Sequence, residues 1–282
     1  MADSLQEWVD KAVPLGSGRY YALLHSDNAF QSRQQIIATL ISIFSKLGFQ
    51  SREIEVVKHK LEWWRYELEK DHSLHPVMSA FNDSAQVSNA RERLQTLLNG
   101  YGSLLESGSP STDSENALFH HDTGATACQL LCETDSDIQS ISNVGIALSR
   151  MRCFRYLRQH VDNGLLCLPM SSLESAGISP AWLTPDNNNE ELQQYLSDTE
   201  QSLLQELRHS SDQLELTILD CEQEKRSVYK SLFIYLQLQI KLLQVISRSN
   251  ETVLNQSVQF TPVRNHWRAF RAAVRFDRIA NH

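Results

Sequence analysis

Residues Val144–Pro169 read VGIALSRMRCFRYLRQHVDNGLLCLP, and this segment carries much of the information about the architecture of the chain. Its apolar residues recur at three- and four-residue steps, which predicts a helix with one apolar face. Four arginines within nine residues, at positions 150, 152, 155 and 158, give that helix a basic flank. Asn163-Gly164 predicts its end, because both residues tolerate the left-handed conformation that terminates helices.

The composition of the whole chain favours an all-α protein. The chain has 282 residues, of which 41% are hydrophobic. This is enough to bury a sizeable core, in one large helical domain or in two smaller ones. It contains only ten glycines and seven prolines, and few segments alternate in the way that strands do.

Charge and cysteine usage exclude several classes of protein. The formal net charge is −8 and no basic domain stands out, which argues against a nucleic-acid binder. Five cysteines at irregular spacing do not form a disulfide framework, so we expect a reducing compartment. Cys128 and Cys132 share a helix face, but no second ligand pair follows at zinc spacing. We therefore interpret them as buried thiols.

The N-terminal segment predicts where the protein is located. MADSLQEWVDK contains acidic residues and no apolar core, so it resembles neither a signal peptide nor a transit peptide. No run of the sequence approaches the length of about 18 apolar residues that a membrane span needs. We expect a cytoplasmic protein, or a mitochondrial matrix protein if a leader has been removed.

The segment Val144–Pro169 resembles the second signature of the squalene/phytoene synthase family. In that family, a helix of the form Gln-x-x-Asn-x-x-Arg-Asp-x-x-x-Asp precedes a Gly-Arg-x-Tyr-Leu-Pro segment. Aligned without gaps on the glycine and the Leu-Pro pair, Arg155 falls on the family arginine and Gly145 on a small residue one turn earlier. The family's glutamine, asparagine and two aspartates correspond to Ser149, Arg152, Tyr156 and His160.

A second resemblance to the family lies at Lys60–Leu68, KLEWWRYEL, which matches its Lys-Leu-x-Trp-Trp-Arg-x-Glu-Leu pattern. In active members the preceding helix ends in an aspartate-rich motif, and Gln31–Leu47 predicts that helix here. Counted back without gaps, the motif positions are Ser45, Lys46 and Phe49, none of which is a carboxylate. Trp63 and Trp64 point about 100° apart on a helix, so we expect at least one to anchor the core.

The resemblance implies one all-α domain of the isoprenoid synthase type over residues 1–282. Mobile loops are predicted at 102–116 and 184–190, where turn-forming residues accumulate. Gly16–Leu24 resembles the family segment that begins a helix beside the diphosphate pocket. Arg19 and Arg155 are therefore candidate anion-binding residues. The alternative is that Gly16–Leu24 is a flexible entry to a helix whose tyrosines pack in the core.

In the family, two facing aspartate clusters hold the Mg²⁺ ions that neutralise the diphosphate leaving group. The corresponding positions of this chain are not acidic, so the comparison implies no catalytic residues, no cofactor and no metal site. We interpret the chain as a catalytically inactive member of the family, a pseudoenzyme. The alternative is a divergent prenyltransferase of isoprenoid biosynthesis that condenses two prenyl diphosphates with Mg²⁺.

Without catalysis, the predicted role is that of a binding or assembly protein. The chain resembles the respiratory complex I assembly factors of the same family, which implies partners among respiratory complex subunits. A third hypothesis is an isoprenoid or lipid carrier that uses the apolar cavity. Residues 262–278 predict an amphipathic helix with flanking arginines, suited to peripheral contact with an anionic membrane or a partner. The alternative is a helix that packs on its own domain.

Overall fold

The computed structural model describes residues 4–50, 53–84, 89–134, 138–185, 187, 189–248, 253–255 and 259–281, and within these ranges all regular secondary structure is helical. The helices are α1 (Leu5–Ala12), α2 (Gly18–Leu24), α3 (Asn28–Gln50), α4 (Ile54–Glu69), α5 (Pro76–Ser84), α6 (Ala90–Ser107), α7 (Asp113–His120), α8 (Thr126–Leu131), α9 (Gln139–Arg155), α10 (Leu157–Asp162), α11 (Met170–Ser175), α12 (Glu190–Asp220), α13 (Gln223–Arg226), α14 (Lys230–Ile246) and α15 (Pro262–Ala280). A π-helical turn, His121–Ala125, joins α7 to α8, and 3₁₀ turns lie at Pro180–Trp182 and Ser227–Tyr229. The predicted all-α class is confirmed.

Polar side chains begin several of these helices. Ser4 caps α1, and Ser17 Oγ accepts a hydrogen bond of 3.1 Å from the Tyr20 amide at the start of α2. Asn189 Oδ1 accepts one of 2.8 Å from the Leu192 amide at the start of α12. Each cap satisfies an amide that has no partner within its own helix.

Two clusters of buried apolar side chains form the interior. The first is built around α9, α12 and α14 and includes Met151, Leu207 and Phe233. The second is built around α3 to α6 and includes Phe44 and Leu97. Helix α3 thus belongs to one cluster, and α9 and α14 belong to the other. In the described part of the chain, no helix is both long enough and apolar enough to span a bilayer.

The adjacent tryptophans of α4 have different environments. Trp64 is buried, whereas Trp63 is 44% exposed. The Trp64 ring meets Phe44 edge to face, with centroids 5.2 Å apart, and so anchors α4 on α3. The prediction that at least one of the pair anchors the core is confirmed.

Helix α9 crosses the π-helical turn where two glycines meet. A Cβ atom on Gly145 would lie 2.2 Å from the carbonyl oxygen of Gly124, and a Cβ atom on Gly124 would lie 2.2 Å from that of Gly145. The obstacle in both cases is backbone, which cannot move aside as a flexible side chain can. Any larger residue at either position would force the two elements apart.

The single helix predicted to end at Asn163-Gly164 is interrupted. Helix α9 ends at Arg155 and α10 begins at Leu157, because Tyr156 takes φ −104° and ψ 18°, outside the helical region. The apolar periodicity of the sequence continues across Tyr156, so the pattern does not reveal the break between α9 and α10.

Helix α10 ends where the sequence predicts, in a Schellman motif. Gly164 has a φ of 73°. The Leu165 amide donates to the His160 carbonyl and the Gly164 amide to the Val161 carbonyl, both at 2.9 Å. The chain therefore reverses direction directly after α10.

The connection predicted at 102–116 is shorter in the structure. Helix α6 continues to Ser107 and α7 begins at Asp113, which leaves 108–112 between them. Leu104 and Leu105 are buried, and their burial outweighs the low helix propensity of the glycine and serine beside them. The segment predicted at 184–190 ends where α12 begins, and its residues 186 and 188 lie outside the described residues. The mobility of both segments stays a prediction.

Candidate functional site

A cavity of about 540 Å³ lies between the two core clusters. Its walls come from α3, α9, α10 and α14, and residues 14–18 and 259–265 form its rim. Its polar and charged lining residues are Ser17, Arg19, Ser42, Ser45, Lys46, Arg152, Arg155, Tyr156, Gln159, His160, Tyr235, Gln239, Gln259 and Asn265.

The rim joins two segments that are far apart in sequence. Asn265 Nδ2, on α15, donates a hydrogen bond of 2.9 Å to the carbonyl oxygen of Gly16. Gly16 has a φ of 85°, and a Cβ atom there would lie 2.9 Å from the Pro262 side chain. Glycine at position 16 therefore permits both the backbone conformation and the close approach of α15.

The cavity brings together residues of the two segments that resemble the family motifs. From the first motif it is lined by Ser45, Lys46 and Phe49, and from the second by Arg152, Tyr156 and His160. The candidate anion-binding residues Arg19 and Arg155 line the same cavity. Ser149 does not; it lies on the wall of a smaller neighbouring pocket.

The two motifs touch through aromatic rings. Phe49 and His160 stack with ring centroids 4.3 Å apart and 17° between their planes. The Arg152 guanidinium lies 4.7 Å from the Phe49 centroid, and its Nη1 donates to Tyr101 Oη at 3.3 Å. Burial, followed by the charge of Arg152, lowers the pKa of His160 to about 3. The imidazole in this stack is therefore neutral at pH 7.

The cavity wall is cationic. Among the described residues that line it, Arg19, Lys46, Arg152 and Arg155 are basic and none is an aspartate or glutamate. None of the four forms an ion pair with a carboxylate in the described part of the chain. Burial, followed by the charge of Arg19, lowers the pKa of Lys46. Positive charges that repel one another share this space.

Aromatic rings and a carbonyl hold these cations in place. The Arg19 guanidinium lies 5.8 Å from the Tyr235 ring centroid, and that of Arg155 lies 4.9 Å from the Tyr156 ring centroid. Lys46 Nζ donates to the carbonyl oxygen of Lys11 at 3.0 Å. Contacts of this kind orient a cation without neutralising its charge, so the charge remains available to a ligand.

The donor set of the cavity does not fit the Mg²⁺ ions that the family resemblance implies. Magnesium is bound through carboxylates with near-octahedral geometry, and it keeps several waters. The described lining residues present guanidinium and ammonium groups, hydroxyls, amides and a neutral imidazole. Four cations around the same space oppose a divalent cation and favour an anion.

A small apolar pocket adjoins the cavity and shares Arg19, Leu148, Arg152 and Tyr235 with it. Its volume is about 90 Å³.

Ser149 and His120 form a buried polar contact beside this pocket. His120 Nδ1 lies 3.0 Å from Ser149 Oγ, and Thr123 Oγ1 lies 3.2 Å from the same oxygen. Only 2% of His120 is exposed, so its imidazole belongs to the interior. Burial, followed by the charge of Arg150, lowers the pKa of His120 to about 3.

Two features of this region have no signal in the sequence. Tyr101 and Tyr235 belong to helices whose apolar periodicity predicts a side that faces the core. This periodicity does not distinguish residues that line a cavity from residues that pack in the core. Cys153 and Cys167 meet His160 because the chain reverses at Gly164, and their spacing matches no metal-binding motif. Such contacts depend on the path of the chain rather than on a local pattern.

Comparison with known proteins agrees with the fold. The family model described as squalene/phytoene synthase matches residues 48–271. No curated protein sequence matches the chain. A crystal structure of a dehydrosqualene synthase in complex with ligand superposes with a TM-score of 0.73 over 98% of each chain, at 12% sequence identity. At this identity the superposition shows a shared helical architecture.

Proposed function

The chain belongs to the squalene/phytoene synthase family, and from this premise we propose that it is a non-catalytic member that binds an anionic ligand in its cavity. The observation that carries the proposal is the charge of the cavity wall. Arg19, Lys46, Arg152 and Arg155 line it, and no carboxylate lines it among the described residues. Unpaired guanidinium groups in a partly desolvated site bind phosphate or diphosphate oxygens strongly.

Loss of catalysis follows from the chemistry of the family reaction. The family is one of prenyltransferases, and their reaction requires that a diphosphate leave as negative charge develops on it. Arginines can bind that charge in the ground state as well as in the transition state, and uniform binding of this kind does not accelerate the reaction. We therefore expect the chain to hold such a ligand without ionising it.

Titration calorimetry tests the proposal with inorganic pyrophosphate and with a farnesyl diphosphate analogue that cannot ionise. We expect both to bind in the presence of EDTA. Arg19→Gln and Arg155→Gln should each weaken binding by about tenfold, since a hydrogen bond to a charged group contributes about 1.5–3 kcal/mol. Arg158→Gln is the control, because Arg158 pairs with Asp162 at 2.8 Å and does not line the cavity.

The prenyltransferase alternative predicts that the protein releases diphosphate when it is incubated with farnesyl or geranylgeranyl diphosphate and Mg²⁺. Our proposal predicts that it releases none. Release that depends on Mg²⁺ and disappears in Arg155→Ala would overturn it in favour of a divergent synthase.

The carrier alternative requires space for a hydrocarbon chain. The apolar pocket has a volume of about 90 Å³ beside a cationic cavity of about 540 Å³, and this ratio favours recognition of a polar headgroup. Mass spectrometry of an extract of the purified protein tests this directly. A stoichiometric polyprenyl ligand would support the carrier hypothesis instead.

A second candidate function, docking on a membrane or on an assembly partner, is favoured by the exposed side of α15. Val263, Trp267 and Phe270 are 78%, 59% and 45% exposed and lie one turn apart. Arg264 and Arg271 are exposed beside them. An apolar stripe flanked by arginines is typical of a helix that lies on an anionic surface.

Vesicle sedimentation tests the docking function. We expect binding to vesicles that contain anionic lipid, weak binding to neutral vesicles, and loss of binding in a Trp267→Ser, Phe270→Ser double variant. Affinity capture from the native host tests the assembly role. A capture free of respiratory complex subunits would count against those partners.

A further inference from the structure

Cys153, His160 and Cys167 form a cluster that the proposed function does not use. All three are buried, and their two sulfur atoms and one imidazole nitrogen lie within 4.8 Å of one another. Cys167 Sγ lies 3.6 Å from His160 Nδ1. Thiolate sulfur and imidazole nitrogen are the ligands that Zn²⁺ and other thiophilic cations prefer.

The fold holds these three side chains in position before any ion binds. Cys153 is on α9 and His160 is on α10, and the reversal at Gly164 returns the chain so that Cys167 lies against His160. The returning segment is fixed by a hydrogen bond of 2.9 Å from the Leu166 amide to the Gly108 carbonyl. The stack with Phe49 orients the imidazole ring. Ligands oriented in this way lose little conformational entropy on binding an ion.

We propose that Cys153, His160 and Cys167 bind one Zn²⁺ ion. Each thiol gives up its proton to solvent and coordinates as a thiolate, and the neutral imidazole coordinates through its nitrogen lone pair. Two thiolates balance the charge of the ion, so the complex buries no net charge. Three protein ligands leave a fourth position for a water or an exogenous ligand, as in zinc sites that are not fully closed.

The cluster separates two cavities of different electrostatic character. His160 lines the cationic cavity, whereas Cys153 and Cys167 line a second cavity of about 470 Å³. The charged residues that line this second cavity are Asp113, Asp198 and Arg150, and Arg150 is paired with Glu206 at 2.9 Å. Carboxylates attract cations, so we expect an ion to reach the sulfur atoms through the second cavity rather than through the cationic one.

The other buried thiols of the chain provide a contrast. Cys128 and Cys132 are also buried, but in the described residues they are not part of any group of three potential metal ligands. If zinc bound to any buried thiol, it would bind to Cys128 and Cys132 as readily as to Cys153 and Cys167. Cys128→Ser is therefore the matched control for substitution of Cys153 or Cys167.

Metal analysis of the full chain, expressed without a histidine tag and purified under reducing conditions, tests the proposal. We expect about one zinc per chain by plasma mass spectrometry. Replacement by Co²⁺ should produce the charge-transfer absorption of thiolate-bound cobalt. Cys153→Ser and Cys167→Ser should lose both zinc and this absorption, whereas Cys128→Ser should keep them.

A second measurement needs no variant and remains decisive if the serine variants do not fold. X-ray absorption of the zinc-loaded wild-type protein should show two sulfur ligands at about 2.3 Å and a nitrogen ligand at about 2.0–2.1 Å. Any of three results would overturn the proposal: no bound zinc, a shell of nitrogen and oxygen alone, or a Cys153–Cys167 disulfide in the reduced preparation.

Discussion

At the scale of single residues, the character of the cavity depends on the charge that each position carries. A carboxylate at position 49 would lie beside Arg152 and pair with it. The phenyl ring of Phe49 instead holds the guanidinium through its π face at 4.7 Å. The arginine is thereby oriented while its charge stays available, which suits a site for an anion. At position 49 a phenyl ring thus anchors a cation and offers no ligand to a metal ion.

His120 predicts a dependence of stability on pH. Its pKa is about 3 in the folded protein and 6.5 in the reference state, so below pH 6.5 the unfolded chain binds a proton that the folded chain does not. The free energy of unfolding should therefore fall as the pH decreases from 6.5 towards 3, by up to about 1.4 kcal/mol per pH unit from this residue. Urea unfolding at several pH values measures this slope.

His120→Gln should reduce this slope by the contribution of one histidine. Gln201→Ala, at an exposed position of α12 without a titratable side chain, is the control and should keep the wild-type slope. An unchanged slope in His120→Gln would show that the histidine is not buried in its neutral form.

At the scale of the elements, the close crossing of α9 and the π-helical turn predicts that position 145 does not tolerate a residue larger than glycine. Gly145→Ala places a methyl group 2.2 Å from a backbone oxygen, and the two elements must separate to accept it. We expect a loss of about 1–3 kcal/mol or more in the free energy of unfolding, measured by urea denaturation. Gly18→Ala is the control, because its Cβ meets the nearest atom at 3.5 Å. A Gly145→Ala variant with the same free energy of unfolding as this control would contradict the close approach of the two backbones at Gly145 and Gly124.

The elements that could be predicted are those with a strong local signal. The periodicity of α3 and the Asn-Gly stop after α10 are both visible in the sequence. The break at Tyr156 and the extension of α6 through Ser107 are not. In α6, burial of Leu104 and Leu105 in the second cluster outweighs a local composition typical of loops. Such outcomes depend on tertiary packing, which a local pattern does not contain.

At the scale of the whole molecule, the cavity could be predicted only in part. Family resemblance identifies Ser45, Lys46 and Phe49 as one wall and Arg152 to His160 as the facing wall, and the structure places both there. It does not identify Tyr101 or Tyr235, and it does not bring Cys153 and Cys167 together. Those contacts join elements that are far apart in sequence or that meet after a chain reversal.

The rim of the cavity predicts a coupling between its two segments, 14–18 and 259–265. Asn265→Ala removes the hydrogen bond to Gly16 and leaves a buried carbonyl without its donor. We expect a loss of about 1–3 kcal/mol in the free energy of unfolding. Hydrogen exchange should become faster at the amides of both rim segments, 14–18 and 259–265.

Asn281→Ala is the matched control, since Asn281 directly follows α15, its side chain is exposed, and its Nδ2 donates to the Asp277 carbonyl of the same helix at 2.6 Å. It should change the free energy of unfolding by no more than about 0.5 kcal/mol. Faster exchange confined to α15 in the Asn265 variant, with residues 14–18 unchanged, would show that the two segments are not coupled.

This meeting of distant segments has a consequence for biosynthesis. A polypeptide emerging from the ribosome presents Gly16 249 residues before Asn265, since translation follows the order of the sequence. The arginines at positions 19, 152 and 155 therefore emerge before α15, and the hydrogen bond that joins the two rim segments cannot form until α15 has been synthesised. If our proposal is correct, a chain truncated before α15 would carry these charges without the rim that encloses them.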